Sequence, residues 1–208
     1  TEISRASHEK KILKFHFNSL LPDFSLISCK KGENDPAFTL KSRKARLVGH
    51  WSLVNGKASF TARDPNAAPY NISYQFEGSS ATINETYNGS GTAFIYYATY
   101  ILSLDFSKDG DFKFSETYGG RTINAKGTWN FTSGIGELKN KEEVVISLDE
   151  ITSSKTNAHL FNKFRTEFKY RIKGLSTKEL EIFSSINLYE NSNGEKDTYS
   201  SEYKFKKK

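Results

Sequence analysis

One cysteine, four prolines, four histidines and no methionine among 208 residues set the first limits on this chain. A lone cysteine cannot close a disulfide within the chain or supply a thiolate zinc site, so folding must rest on a packed core. The histidines, at positions 8, 16, 50 and 159, include no close pair, which leaves imidazole metal chemistry poorly supplied. Four prolines exclude a collagen-like or proline-rich filament. No apolar stretch is long enough for a transmembrane helix. With no methionine anywhere, Thr1 is not expected to be where translation starts.

What the chain has instead is aromatic residues. Sixteen Phe, 11 Tyr and two Trp make up 14% of it, too many for a disordered polymer. A domain of this length buries roughly 70% of its unfolded surface, enough to fold unaided. Thirty basic against 24 acidic residues leave a net charge of +6, spread along the chain apart from the closing Lys206, Lys207 and Lys208. The aromatics alternate with the charges, as they do on strands that bury one face. A nucleic-acid binder needs a basic face with aromatics free to stack, so no nucleic-acid partner is expected.

Near the start, Lys10 and Lys11 precede a mostly apolar stretch that ends in Leu26-Ile27-Ser28-Cys29. This arrangement resembles the signal peptide of a bacterial lipoprotein. The resemblance implies cleavage before Cys29 and attachment of lipid to its thiol, the one nucleophile here able to carry a thioether. Two or more acyl chains make a stable anchor, where one gives only marginal binding. The polar run Lys30-Lys31-Gly32-Glu33-Asn34-Asp35-Pro36 reads as a solvated tether. A buried free cysteine behind an ordinary amphipathic helix is the alternative reading. The expected organisation is a leader over residues 1–28, a lipidated tether over 29–41 and one β domain over 42–208. Its expected place is the bacterial cell envelope, on the outer membrane.

From about residue 46, apolar residues recur at every second position, the period of a half-buried strand. Ile72, Tyr74 and Phe76 alternate with Asn71, Ser73 and Gln75. Leu102, Leu104 and Phe106, then Phe112 and Phe114, then Val144, Ile146 and Leu148 do likewise. Phe168, Tyr170 and Ile172 stand against Glu167, Lys169, Arg171 and Lys173. Turn residues separate these runs at Asp109-Gly110, Gly119-Gly120, Asn88-Gly89-Ser90-Gly91, Asn193-Gly194 and Gly174-Leu175-Ser176. Eight to ten antiparallel strands follow, with helix expected only near the start and around residues 153–162. Sequential hairpins favour an all-β, up-and-down barrel, because closure removes exposed strand edges.

Gly49-His50-Trp51 opens the first strand behind the basic stretch Ser42-Arg43-Lys44-Ala45-Arg46, and Gly127-Thr128-Trp129 repeats the pattern later. Between them lies the hairpin Phe106-Ser107-Lys108-Asp109-Gly110-Asp111-Phe112. A turn at Lys173-Gly174-Leu175-Ser176 follows. This order resembles the lipocalin-like lipoproteins common in the Bacteroidetes, over roughly residues 42–206. The resemblance implies a barrel whose base is closed by a short N-terminal helical turn packed on the tryptophan, with Gly49, Trp51, Gly127 and Trp129 as signature positions. It implies little chemistry, since fold does not supply function.

The residues themselves offer no catalytic constellation. There is no Gly-x-Ser-x-Gly elbow, and His159, a lone histidine beside a loop, reads as an exposed side chain rather than a base. Asp149-Glu150 and Glu142-Glu143 are sequence neighbours, which a strand points to opposite faces. Asp105, Asp109 and Asp111 lack a calcium loop's spacing. Sequons at Asn71, Asn84, Asn88 and Asn130 matter only on a eukaryotic secretory route. A non-enzymatic role without cofactor or metal is therefore expected. Two functions remain: a binding module for a small hydrophobic or amphipathic ligand, or a filled scaffold docking onto a larger outer-membrane protein complex. Tyr96, Tyr97 and Tyr100, in the densest aromatic run, are the candidate ligand or partner contacts.

Overall fold

The computed structural model describes residues 33–36, 39–62, 70–87, 92–132, 141–153, 160–162, 165–190 and 196–208. A one-turn helix, α1 (Arg43–Leu47), precedes ten strands: β1 (Gly49–Ala62), β2 (Tyr70–Glu77), β3 (Ser80–Tyr87), β4 (Thr92–Phe106), β5 (Asp111–Tyr118), β6 (Arg121–Phe131), β7 (Glu143–Ser153), β8 (Glu167–Leu175), β9 (Glu179–Glu190) and β10 (Lys196–Lys207). Each strand bonds antiparallel to its sequence neighbour, and β10 returns to β1, closing the barrel that the alternation predicts. In β6 the inward set is Ile123, Ala125, Gly127 and Trp129, with every residue between them exposed. Gly119 and Gly120, both at positive φ (56° and 78°), make the two-residue turn between β5 and β6. Such a turn matches the twist of its flanking strands only when both central residues tolerate positive φ.

The ring is not the same width throughout. Gly49 to Ser52 of β1 pair directly with Ser103 to Phe106 of β4. From Asn55 onward β1 pairs with β2 instead. The β2–β3 hairpin is thus a wedge driven between β1 and β4 from one end. Its turn sits at the fork, where the Gly78 amide donates to the Val54 carbonyl (2.9 Å) and the Tyr100 amide donates to the Ser79 carbonyl (2.9 Å). Eight strands therefore close the base and ten the mouth. Barrel diameter grows with strand number, and eight strands leave an interior that side chains just fill.

The base is sealed from below. Trp51 is fully buried and donates its indole N–H to the Leu47 carbonyl at the end of α1 (2.7 Å). The Lys207 ammonium lies 4.8 Å from the Trp51 ring centroid and donates to the Arg46 carbonyl (2.8 Å). Trp129 donates to the Ser107 carbonyl (3.1 Å), and Lys44 of α1 lies 5.7 Å from its ring. The tryptophans of both Gly-x-Trp segments thus stand at one end of the barrel, each beside a lysine.

The tether expectation needs correction for residues 33–36. Asp35 is buried, with Oδ2 accepting from Arg43 (2.5 Å) and Arg46 (3.4 Å) and Oδ1 accepting from the Leu175 amide (2.9 Å). The Asn34 amide donates to the Lys173 carbonyl (2.7 Å) and its side chain to Glu181 (3.0 Å). A polar run can bury a carboxylate when two guanidiniums and a backbone N–H receive it. Residues 34 and 35 are thus packed against α1 and β8 rather than solvated. The leader and Cys29 lie outside the described residues, as do the turns at 88–91 and 191–194. Of the helix expected around 153–162, residues 160–162 form a turn, and 154–159 lie outside the described residues.

Candidate ligand site at the barrel mouth

The interior below the mouth is filled. Phe76 stacks on Tyr100 (ring centroids 4.2 Å apart) and on Tyr203 (5.7 Å), and the chain of rings continues through Phe161 to Tyr170 (5.1 Å). Phe161 belongs to the turn at 160–162, which packs inside the barrel where β7 and β8 part beyond their Ser147–Glu167 pair. A buried loop must satisfy its backbone, and the wall does so here. Glu116 accepts from the Phe161 amide (3.1 Å) and the Tyr100 hydroxyl (2.8 Å). Tyr170 donates to the Phe161 carbonyl (2.6 Å) and Tyr199 to the Leu160 carbonyl (2.8 Å). Burial pushes the phenols of Tyr100, Tyr170, Tyr199 and Tyr203 well above the ordinary tyrosine range. They stay protonated donors at neutral pH.

Above this plug, on the wedge side, the inward face of β2, β3 and β4 is only partly covered. Tyr70 and Tyr87 pair across the β2–β3 ladder with their rings tilted by 38° and centroids 4.7 Å apart, and Phe94 meets Tyr87 edge-on at 6.4 Å. Tyr96 donates its hydroxyl to Glu85, whose carboxylate sits among these rings. Tyr74, largely buried, forms the floor with Tyr118 (6.5 Å). Phe94 is 53% exposed, and Tyr87 and Tyr96 are each more than a third exposed. Burial, then hydrogen bonds to Tyr87 and Glu85, push the Tyr70 phenol upward, and burial with the Glu85 hydrogen bond does the same to Tyr96. The result is a partly exposed cluster, the cradle, of neutral phenols and a phenyl ring around one carboxylate.

The three tyrosines read from the sequence therefore part company. Tyr96 is in this cradle. Tyr97, one residue on, projects from the outer wall and is 78% exposed. Tyr100 lies fully buried in the plug, bonded to Glu116 and out of reach of any mouth ligand. Glu85 and Glu116 went unread at the sequence level, although both carry a signal. Each is a carboxylate on the apolar phase of its strand, in Ile83-Asn84-Glu85-Thr86-Tyr87 and Phe114-Ser115-Glu116-Thr117-Tyr118. A charge in that phase marks a polar point inside the barrel.

Other concavities are on the outside. A groove of about 330 Å³ crosses β4 to β7 past His50, Asp105 and Lys113, spanned by the exposed Lys126–Glu150 pair (2.6 Å). Another, about 630 Å³, runs between β7, β8 and β9 beside Arg165, Glu167 and Phe183. Among the described residues no group of three or more His, Cys, Asp or Glu side chains could hold a metal ion. No helix among them is long and apolar enough to cross a membrane. The fold and its mouth define a closed ten-stranded antiparallel barrel with a plugged interior and an aromatic rim. No family model, curated protein or solved structure matches the chain.

Proposed function

We propose that this chain is a membrane-anchored, lipocalin-like binding module of the bacterial envelope, non-catalytic, which takes a small amphipathic molecule at its mouth. The observation that carries the reading is the partly exposed ring of Tyr70, Tyr87, Phe94 and Tyr96 on the inward face, above an interior with its own packing complete. Aromatic side chains that present both a ring and a hydroxyl suit a ligand with apolar and polar parts. Leu26-Ile27-Ser28-Cys29 supports the anchor. The test is intact-mass spectrometry of the protein purified from its native membrane in mild detergent. A chain starting at Cys29 with added acyl mass and a co-purifying small molecule is the expected result. An unmodified mass retaining residues 1–28 would remove the anchor from the reading.

The outer wall favours a second reading. Ile95, Tyr97 and Ile101 are exposed on the outward face of β4, and no charged residue occurs from Thr86 to Leu104. A plugged barrel that docks by this strip onto a larger outer-membrane complex would return one stoichiometric membrane protein in a native pull-down, with no bound small molecule.

A further inference from the structure

The proposal above leaves the ligand's charge open, and the cradle speaks to it. Glu85 carries the one formal charge in the ring, on a strand phase otherwise apolar. Its neighbours are phenols: Tyr96 donates to it, and Tyr70 lies within hydrogen-bonding reach. Among the described residues, no lysine, arginine or histidine pairs with it. The buried Asp35, by contrast, is received by two cations, Arg43 and Arg46. A half-buried carboxylate surrounded by aromatic faces repels anions and attracts cations twice over, through its own charge and through the negative faces of the rings.

We infer that the mouth binds an organic cation, an amine or quaternary ammonium with apolar substituents, with Glu85 as counter-charge and Tyr70, Tyr87, Phe94 and Tyr96 as walls. Ring faces attract a cation within about 6 Å of their centroids. Tyr70, Tyr87 and Phe94 pack ring against ring (4.7 and 6.4 Å), so they form one continuous aromatic patch beside Glu85. Width comes from the fold: the β2–β3 wedge adds two strands at this end only, so the same barrel is wider here than at its base. The phenols contribute no competing negative charge at neutral pH, because burial and their hydrogen bonds hold them protonated.

This inference rests on the mouth being a ligand site, and the experiment separates the two. The full chain is titrated with choline and with its uncharged isostere 3,3-dimethylbutan-1-ol, followed by backbone amide shifts in β2, β3 and β4. Choline is expected to bind about tenfold more tightly than the alcohol. Glu85→Gln, which keeps an acceptor for Tyr96, should erase that difference, bringing choline to the affinity that the alcohol has for the same variant. Tyr87→Leu, at an exposed ring, should weaken choline severalfold with the far-ultraviolet spectrum unaltered. Equal binding of both compounds, indifferent to Glu85→Gln, overturns the cation assignment and leaves the mouth as a site. A folded protein whose mouth amides move with neither compound overturns both.

Discussion

Tyr100 donates its hydroxyl to Glu116 at 2.8 Å, and the same carboxylate oxygen accepts the Phe161 amide at 3.1 Å. One wall residue thus ties a strand to the loop that plugs the barrel. Tyr100→Phe would leave a buried carboxylate short of a donor, at a cost of about 1–3 kcal/mol. The expected readout is a lower urea midpoint with unchanged slope. An unchanged midpoint would mean that the plug holds without this bond.

The same tyrosines set a limit at alkaline pH. Burial raises Tyr100, Tyr170, Tyr199 and Tyr203 above the ordinary value near 10, so the folded state binds these protons more tightly than the unfolded state does. Their contribution to stability is complete below the unfolded value of about 10 and is lost as pH rises through the raised folded values. Absorbance of the tyrosinate band, followed with circular dichroism, should show these four ionising only together with loss of the β signal. Full ionisation of all tyrosines near pH 10 with the fold intact would contradict the packing described.

At the base, Asp35 gathers Arg43, Arg46 and the Leu175 amide. Removing one partner from a buried ion group strands the others, typically at about 3–5 kcal/mol. Asp35→Ala should therefore destabilise the whole barrel, as measured by thermal unfolding. A true tether residue would tolerate the change without effect, so this variant decides where the domain begins.

How much of this was legible beforehand depends on whether the signal is local. The inward phase of Phe168, Tyr170 and Ile172, and the glycine turn at Gly119-Gly120, follow from neighbours in sequence, and the strands form there. Closure into a barrel follows from a run of short hairpins. The wedge does not, because β1 changes partner from β4 to β2 through pairings some fifty and then twenty residues away. Nor does Asp35's burial, which only appears once α1 and β8 meet. Alternation also gives a face without its sign or depth, which is why Tyr96, Tyr97 and Tyr100 looked alike and ended in a rim, an outer wall and a core.

Gly127 shows a constraint of close approach rather than of turn geometry. A Cβ built there would lie 1.9 Å from the Ser147 carbonyl oxygen, beside the register shift between β6 and β7 at Lys126 and Gly127. The backbone of β7 would have to move, and overpacking of this kind costs about 1–3 kcal/mol. Gly127→Ala should lower the unfolding midpoint and raise amide exchange along β7. Gly78→Ala, where no atom lies within 4 Å of the added methyl, is the control for space, although its positive φ (59°) carries a smaller strain of its own. A larger loss at position 78 would reverse the assignment.

The plug itself yields the last test, because it separates a mouth site from a deep one. Phe161 is 2% exposed and touches Phe114, Phe168, Tyr170 and Tyr203. Phe161→Ala deletes a ring at the centre of that cluster, with an expected loss of about 3–5 kcal/mol. The vacated space would be lined mostly by aromatic faces, and apolar cavities of this kind stay dry and accept small apolar guests. Xenon or benzene should then bind the variant and not the parent protein, detected by chemical shifts of Phe114 and Phe168. Binding of either probe by the parent at these residues would mean that the barrel already holds a deep cavity, and the ligand site would move from the rim to the interior.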